Sequence, residues 1–402
     1  MNTKTAQLDP TPPAIPPVAA PQFNRRRLLL SAAGGLGALA VGGGAAWWAR
    51  RDAARGPRLW NSAAMGGRVV LPSGAQQGLF ASGYDGSVRS LDPATGAVRW
   101  SRVVKAAPPV NDLDGWQLAN SGGWHAAAGE GVVCVVSTAG VQTLDAATGE
   151  PRWEVPLPEW PETPETSGPA IGAGGVFVVH GAALHCYDPA TGALRWSGDP
   201  GVTGVLRLAG DAVYVAGKDG GLVALDARTG ARLWTQDALG AVEDPPAVHR
   251  GLVYVGYSGG QPDSYTAFGL DAATGGVRWQ RSRLPVAGPL AAADRTVCLL
   301  SGDRLMGLDA DTGDTRWTAD VPVGLGSGVS SMTAADGAVY VGTNDDRLLA
   351  FELATGQPRW RDEPDRIASD TEYTRVFLAA TGSAVYCGTR TGLHALRAPA
   401  AA

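Results

Sequence analysis

One ten-residue phrase recurs along this chain, and its period limits the fold more than any other feature. Aligned on its last residue it reads LDPATGAVRW (91–100), LDAATGEPRW (144–153), YDPATGALRW (187–196), LDARTGARLW (225–234), LDAATGGVRW (270–279), LDADTGDTRW (308–317) and FELATGQPRW (351–360). Spacings of roughly 43 residues mark a supersecondary unit that cannot bury its own faces and has to stack on its neighbours. Before each phrase lie two segments rich in β-branched and aromatic residues, split by a Gly/Asp/Asn turn, as in AVYVAGKDGGLVAL (212–225) and AVYVGTNDDRLLAF (338–351). That pattern predicts a β-hairpin. A further short apolar segment stands upstream, such as GPAIG (168–172) or PPAVHR (245–250). Each unit therefore supplies four strands, A to D, the content of one blade of a β-propeller.

The two ends of the repeat region set the blade number. After Trp360 the chain provides TRVFLAA, SAVYCGT and GLHALRA, three strands of an eighth unit without the fourth, while PRLWNSA (57–63) provides a fourth strand without the first three. Joined, they close a ring that leaves no blade edge open to aggregation. The expected fold is all-β, an eight-bladed propeller over 57–398 whose last blade is completed by the N-terminal strand.

Within the phrase, the aspartate opens the C-to-D turn, where a carboxylate accepts hydrogen bonds from backbone N–H groups two or three residues on, and the glycine supplies a positive φ. Trp60, Trp100, Trp153, Trp196, Trp234, Trp279, Trp317 and Trp360 fall on the outermost strands, placed to fill the gaps between blades. Glu352 and Arg397 stand at the aspartate position in two units. A shared catalytic role would not survive that exchange; a solvent-facing turn does. These residues are read as scaffold.

The first 56 residues are different in kind. Residues 1–24 form a Pro/Ala-rich lead segment without periodicity, read as disordered, and 25–56 open with Arg25, Arg26 and Arg27 before a weakly apolar run. Arg25 and Arg26 followed by Leu28 and Leu29 resemble a twin-arginine export signal; the alternatives are an uncleaved anchor through residues 28–49 and a cytoplasmic tail that merely looks apolar. Either of the first two places the body outside the cytoplasm. These 56 residues hold seven of the 33 basic side chains and two of the 38 acidic ones, so the remainder carries about ten more acidic than basic groups. Nucleic acid is an unsuitable partner for such a surface.

The repeat as a whole resembles the tryptophan-docking repeat of the pyrroloquinoline-quinone (PQQ) type, quinoprotein-like β-propellers. That resemblance implies one of two branches. The first holds quinone-dependent alcohol and sugar dehydrogenases, often with two adjacent cysteines joined against the quinone, a calcium site and a catalytic aspartate. The second holds non-catalytic propellers, among them the lipoprotein of the bacterial outer-membrane β-barrel assembly machine. Here Cys134, Cys186, Cys298 and Cys387 lie singly in four units, read as buried thiols, so the adjacent pair is absent. Other motifs fail on context. GYSGG places Ser258 in a hairpin instead of a nucleophile elbow, GLGALA (35–40) follows no strand, and no two histidines have metal-ligand spacing. No catalytic, cofactor-binding or metal residue is assigned.

Binding then falls to the places where the repeat is interrupted: 105–123, 158–167, 257–266 and 361–374. Three are D-to-A connections and one is a B-to-C turn, which emerge on the same face of a propeller, opposite the regular turns. The candidate binding residues are Trp116 and Trp124, aromatic anchors in the first insertion, with His125, Arg207, Asp244 and Arg375 near the starts of inner strands, placed to reach the central channel. Trp160 and Tyr265 are further aromatic candidates. The expected function is a monomeric, non-enzymatic propeller outside the cytoplasm that holds a protein or peptide on that face; the alternative is a PQQ-dependent dehydrogenase with a divergent site.

Overall fold

The structure is a computed structural model that describes residues 58–62, 67–70, 78–83, 86–104, 125–137, 140–156, 168–180, 183–198, 202–217, 220–237, 239–240, 242, 244–257, 264–284, 288–301, 303–322, 329–343, 347–362, 376–381, 383–389 and 392–398. The expectations for 1–24 and 25–56 lie outside the described residues, as do most of the insertions. Among the described residues no helix is long and apolar enough to cross a membrane.

Among the described residues, thirty-two strands form eight antiparallel four-stranded sheets. Seven are built from consecutive strands. In the eighth, Arg58–Ser62 pairs with Leu393–Arg397 beside Ala384–Gly388 and Phe377–Ala380, so the N-terminal strand completes the last blade. The fold is an eight-bladed β-propeller. Strands A of most neighbouring blades touch one another, and together they form the inner ring around the axis.

The sequence pattern of each strand follows from its radius. Strands B are packed on both faces by adjacent blades, so Val132–Ser137 and Ala338–Thr343 are buried at every residue. Outer strands D are the most exposed, as in Pro151–Val155, where only Trp153 and Val155 are half-buried. The core is therefore eight slabs, one between each pair of blades. One joins Cys298, Leu300 and Leu305 of blade 6 to Val339, Val341, Leu349 and Phe351 of blade 7. Another joins Leu79, Ala81 and Leu91 of blade 1 to Tyr386, Leu393 and Ala395 of blade 8. Burial of this kind, at roughly 25 cal/mol per Å² of apolar surface, ties each sheet to two others.

Several A-to-B hairpins turn on two residues with positive φ, Glu130–Gly131, Ala173–Gly174, Arg250–Gly251 and Asp336–Gly337. Both residues of such a turn take the left-handed region because its twist matches that of the flanking strands. These short turns share one face of the ring with the C-to-D turns.

Candidate functional site

The regular face is closed by its own hydrogen bonds. At Asp92 the N–H groups of Ala94 and Thr95 each donate to Oδ1 at 3.0 Å, Gly96 N–H returns to the Asp92 carbonyl at 2.8 Å, and Arg99 donates to Oδ2 at 2.9 Å. Arg152, Arg195 and Arg278 repeat the last contact at 2.6 Å with Asp145, Asp188 and Asp271, and Arg359 meets Glu352 at 3.2 Å. The arginine beside each carboxyl, helped by the turn N–H groups, holds Asp145, Asp188 and Asp271 down at about 2. These recurring carboxylates are engaged within their turns. An arginine stands seven residues after the acid in six of the seven phrases and engages it in five, Arg316 donating instead to the Arg295 carbonyl and Thr296, a signal that attention to the aspartate and tryptophan alone passes over.

The same turns receive the indoles. Trp60, Trp100, Trp153, Trp196, Trp234, Trp279 and Trp317 donate from Nε1 to the carbonyls of Pro93, Ala146, Pro189, Ala227, Ala272, Ala310 and Leu353, each in the next blade, at 2.9–3.1 Å. Each ring lies against the turn glycine. At Gly275, φ +72°, an added Cβ would stand 2.5 Å from Cε3 of Trp234. Close approach and positive φ both require glycine there.

Of the candidate binding residues, Trp116, Trp124 and Arg375 lie outside the described residues, as does Trp160. His125 is half-buried, the first residue of its inner strand, packed against Gly168 of the next blade. Asp244 is half-buried in a bend three residues before the inner strand Ala247–His249. Arg207 departs from the expected placement near a strand start: it is the sixth residue of Val202–Ala209 and pairs with Tyr214, two residues from the A-to-B turn. Because the strand begins at Val202, earlier than its counterparts, Arg207 stands about two residues, roughly 7 Å, below the level of His125. The structure thus does not gather these three at one depth. Tyr265 is also corrected: it is 5% exposed, with its ring over Gly256, and belongs to the blade 5 core.

Arg207 is also the exception among seven equivalent positions, an eighth, in blade 1, being Val70 across from Phe80. Across from the B-strand residues Cys134, Phe177, Tyr254, Cys298, Tyr340 and Tyr386 stand Ala127, Ala170, Ala247, Ala291, Thr333 and Ala379. Across from Tyr214 stands an arginine. It is exposed, although surrounding protein desolvates the guanidinium and draws its pKa below the ordinary value.

The adjacent cysteine pair that the resemblance implies for a quinone dehydrogenase is not formed. The four cysteines are free, buried and in separate blades, Cys134 and Cys186 in blades 2 and 3, Cys298 and Cys387 in blades 6 and 8. Burial pushes the Cys186 thiol up to about 11 and raises those of Cys134 and Cys298 further. Among the described residues no group of three or more His, Cys, Asp or Glu converges as a metal site.

Comparison with known proteins bears on the whole ring. The family model described as outer membrane protein assembly factor BamB matches residues 16–154, 137–283 and 267–399. The outer membrane protein assembly factor BamB of Nitrosomonas eutropha is 30% identical over 171 residues, 41% of this chain and 40% of that protein. The chain thus spans less than half the length of that relative. The crystal structure of BamB from Moraxella catarrhalis superposes with a TM-score of 0.64 at 19% identity, covering 85% of this chain and 99% of that one. Quinohemoprotein alcohol dehydrogenase from Comamonas testosteroni superposes with a TM-score of 0.56 at 16% identity, covering 85% and 76%. At such identities the structural likenesses establish the fold.

Proposed function

The chain belongs to the PQQ-like β-propeller family of outer membrane protein assembly factor BamB, and from that membership we propose that it is a non-enzymatic scaffold outside the cytoplasm that holds a protein or peptide partner. The partner sits on the face from which the D-to-A and B-to-C connections emerge. Residues 25–56 deliver or anchor the propeller there, and the ring works as a monomer.

The observation that carries this reading is the asymmetry between the two faces. On one, the turn carboxylates are bound by their own backbone and mostly by an arginine, and seven indoles cap the turns of the next blade. Little hydrogen-bonding capacity remains for a ligand. To the other face we assign nearly all the sequence that departs from the repeat, with Trp116 and Trp124 proposed as anchors beside His125, Asp244 and Arg375. Loops on a rigid frame vary at little cost to the fold, and binding concentrates there. The name of the relatives, assembly factors for outer membrane proteins, agrees with a protein as the partner.

Photo-crosslinking in the native host, with the probe in 105–123, tests the surface. A discrete adduct is expected, reduced at least about tenfold by joint Trp116→Ala and Trp124→Ala, since aromatic anchors carry roughly 2 kcal/mol or more each. Unchanged capture would remove the surface from consideration. Added PQQ and calcium separates the dehydrogenase reading: stoichiometric quinone binding with alcohol- or sugar-dependent dye reduction would replace the scaffold.

A further inference from the structure

We infer that the ring is latched at one joint: the seam between blades 7 and 8 opens from its outer rim, pivoting on the inner strands, while the other seams stay shut. Three observations carry it. The first is a missing acceptor. In seven seams the indole of one blade donates to a carbonyl in the C-to-D turn of the next. Trp360, the eighth, is 5% exposed, and its Nε1 has no hydrogen-bond partner among the described residues. The buried hydroxyl of Tyr340, whose ring centroid lies 6.0 Å from that of the indole, is equally without one. Their counterparts between blades 8 and 1, Trp60 and Tyr386, both reach the Pro93 carbonyl. Tyr254 also lacks an acceptor, but the Trp279 beside it is bonded to Ala310, so that seam keeps its dock. Ala398 stands where the turns place their accepting residue, its N–H donating to the Ser383 carbonyl as that of Ala146 does to Gly131. No C-to-D turn follows it, because strand D of this blade is Arg58–Ser62, from the other end of the chain.

The second observation is what holds the rim instead: a single pair of side chains, Arg58 and Asp362, with the guanidinium 33% exposed. Water competes for such a partner, and it satisfies the two stranded donors once the seam parts. The third is the hinge. Inner strands Val329–Ala335 of blade 7 and Phe377–Ala380 of blade 8 touch, and the four strands of blade 8 are paired only with one another. Blade 8 can therefore swing as one sheet about its inner edge, a cooperative opening smaller than global unfolding.

The chain carries its own reporters of this motion. Cys387 faces the seam of blades 7 and 8. Cys134, Cys186 and Cys298 face the seams of blades 2 and 3, 3 and 4, and 6 and 7, each closed by an indole bond. All four thiols are buried. The inference rests on the fold and is independent of the loop-face reading.

It is tested by pulsing the full chain with iodoacetamide in native buffer and reading each thiol by peptide mass spectrometry, its rate divided by that in the unfolded chain. Cys387 is expected to react at least about tenfold faster than the other three, with a shallow dependence on low urea, as a sub-global opening requires. Arg58→Ala, which removes a contact that the opening breaks, should raise the Cys387 rate at least about tenfold further; Arg58→Lys, which keeps the charge and loses the two-pronged bond, should raise it less. Trp317→Phe should leave it unchanged, because the bond to Leu353 stays made in the opened ring. One common rate for all four thiols, another thiol reacting before Cys387, a Cys387 rate with the steep urea dependence of global unfolding, or Trp317→Phe speeding Cys387 as much as Arg58→Ala does would each overturn the latch.

Discussion

The indole of Trp234 serves one seam in three ways. It donates to the Ala272 carbonyl at 3.0 Å, lies on Gly275, and meets Tyr214 at 5.8 Å between ring centroids. With 8% of its surface exposed it is a core residue on an outer strand. Trp234→Ala should destabilise the fold by about 3–5 kcal/mol, measured by urea unfolding, because the two turns it bridges cannot collapse into the space it leaves. Trp234→Phe keeps the plate and removes the donor, so the expected loss is smaller, about 1–2 kcal/mol. Equal losses for the two variants would assign the whole effect to the hydrogen bond and contradict the packing account.

At the scale of elements, the ring is closed differently on the two sides of blade 8. Toward blade 1 the usual dock is complete: Trp60 donates to Pro93 and covers Gly96, and Tyr386 reaches the same carbonyl at 3.4 Å. Toward blade 7 it is not, because strand D of blade 8 comes from the other end of the chain and no C-to-D turn joins it to strand C. The indole N–H of Trp360 is buried without an acceptor among the described residues. An ion pair compensates. Arg58, on the incoming strand, donates to both carboxylate oxygens of Asp362 at 3.0 and 3.3 Å, and the Asp362 side chain is only 1% exposed. The partners are unequal, since Arg58 is 33% exposed. Arg58→Ala strands a buried carboxylate and should cost about 3–5 kcal/mol, whereas Asp362→Ala leaves a cation that solvent can reach and should cost less. Paired unfolding measurements decide it; a larger loss for Asp362→Ala would contradict the account.

Over the whole molecule the turn carboxylates act together on acid stability. Arginine and backbone donors depress Asp145, Asp188 and Asp271 from the ordinary 3.8 to about 2. The folded state therefore binds these protons less readily than the unfolded chain. Their contribution is complete above 3.8 and is lost as the pH falls toward 2. The melting temperature should fall through that window, and replacing Arg152, Arg195 and Arg278 together by leucine should flatten the fall; an unchanged slope in circular-dichroism melts would refute the linkage. The sequence by itself determined the blade, the blade number and the closing strand, because these depend on strand alternation, turn chemistry and a period, all local along the chain. It also marked Trp60 as the closing indole, since a fourth strand without its first three needs a partner from the other end. Tertiary structure alone decided which buried carboxylate the N-terminal strand meets, which indole lacks an acceptor among the described residues, and that Tyr265 is core. Each depends on what stands opposite a side chain across a seam or a channel, and residues so opposed are far apart in sequence, as Arg58 and Asp362 are.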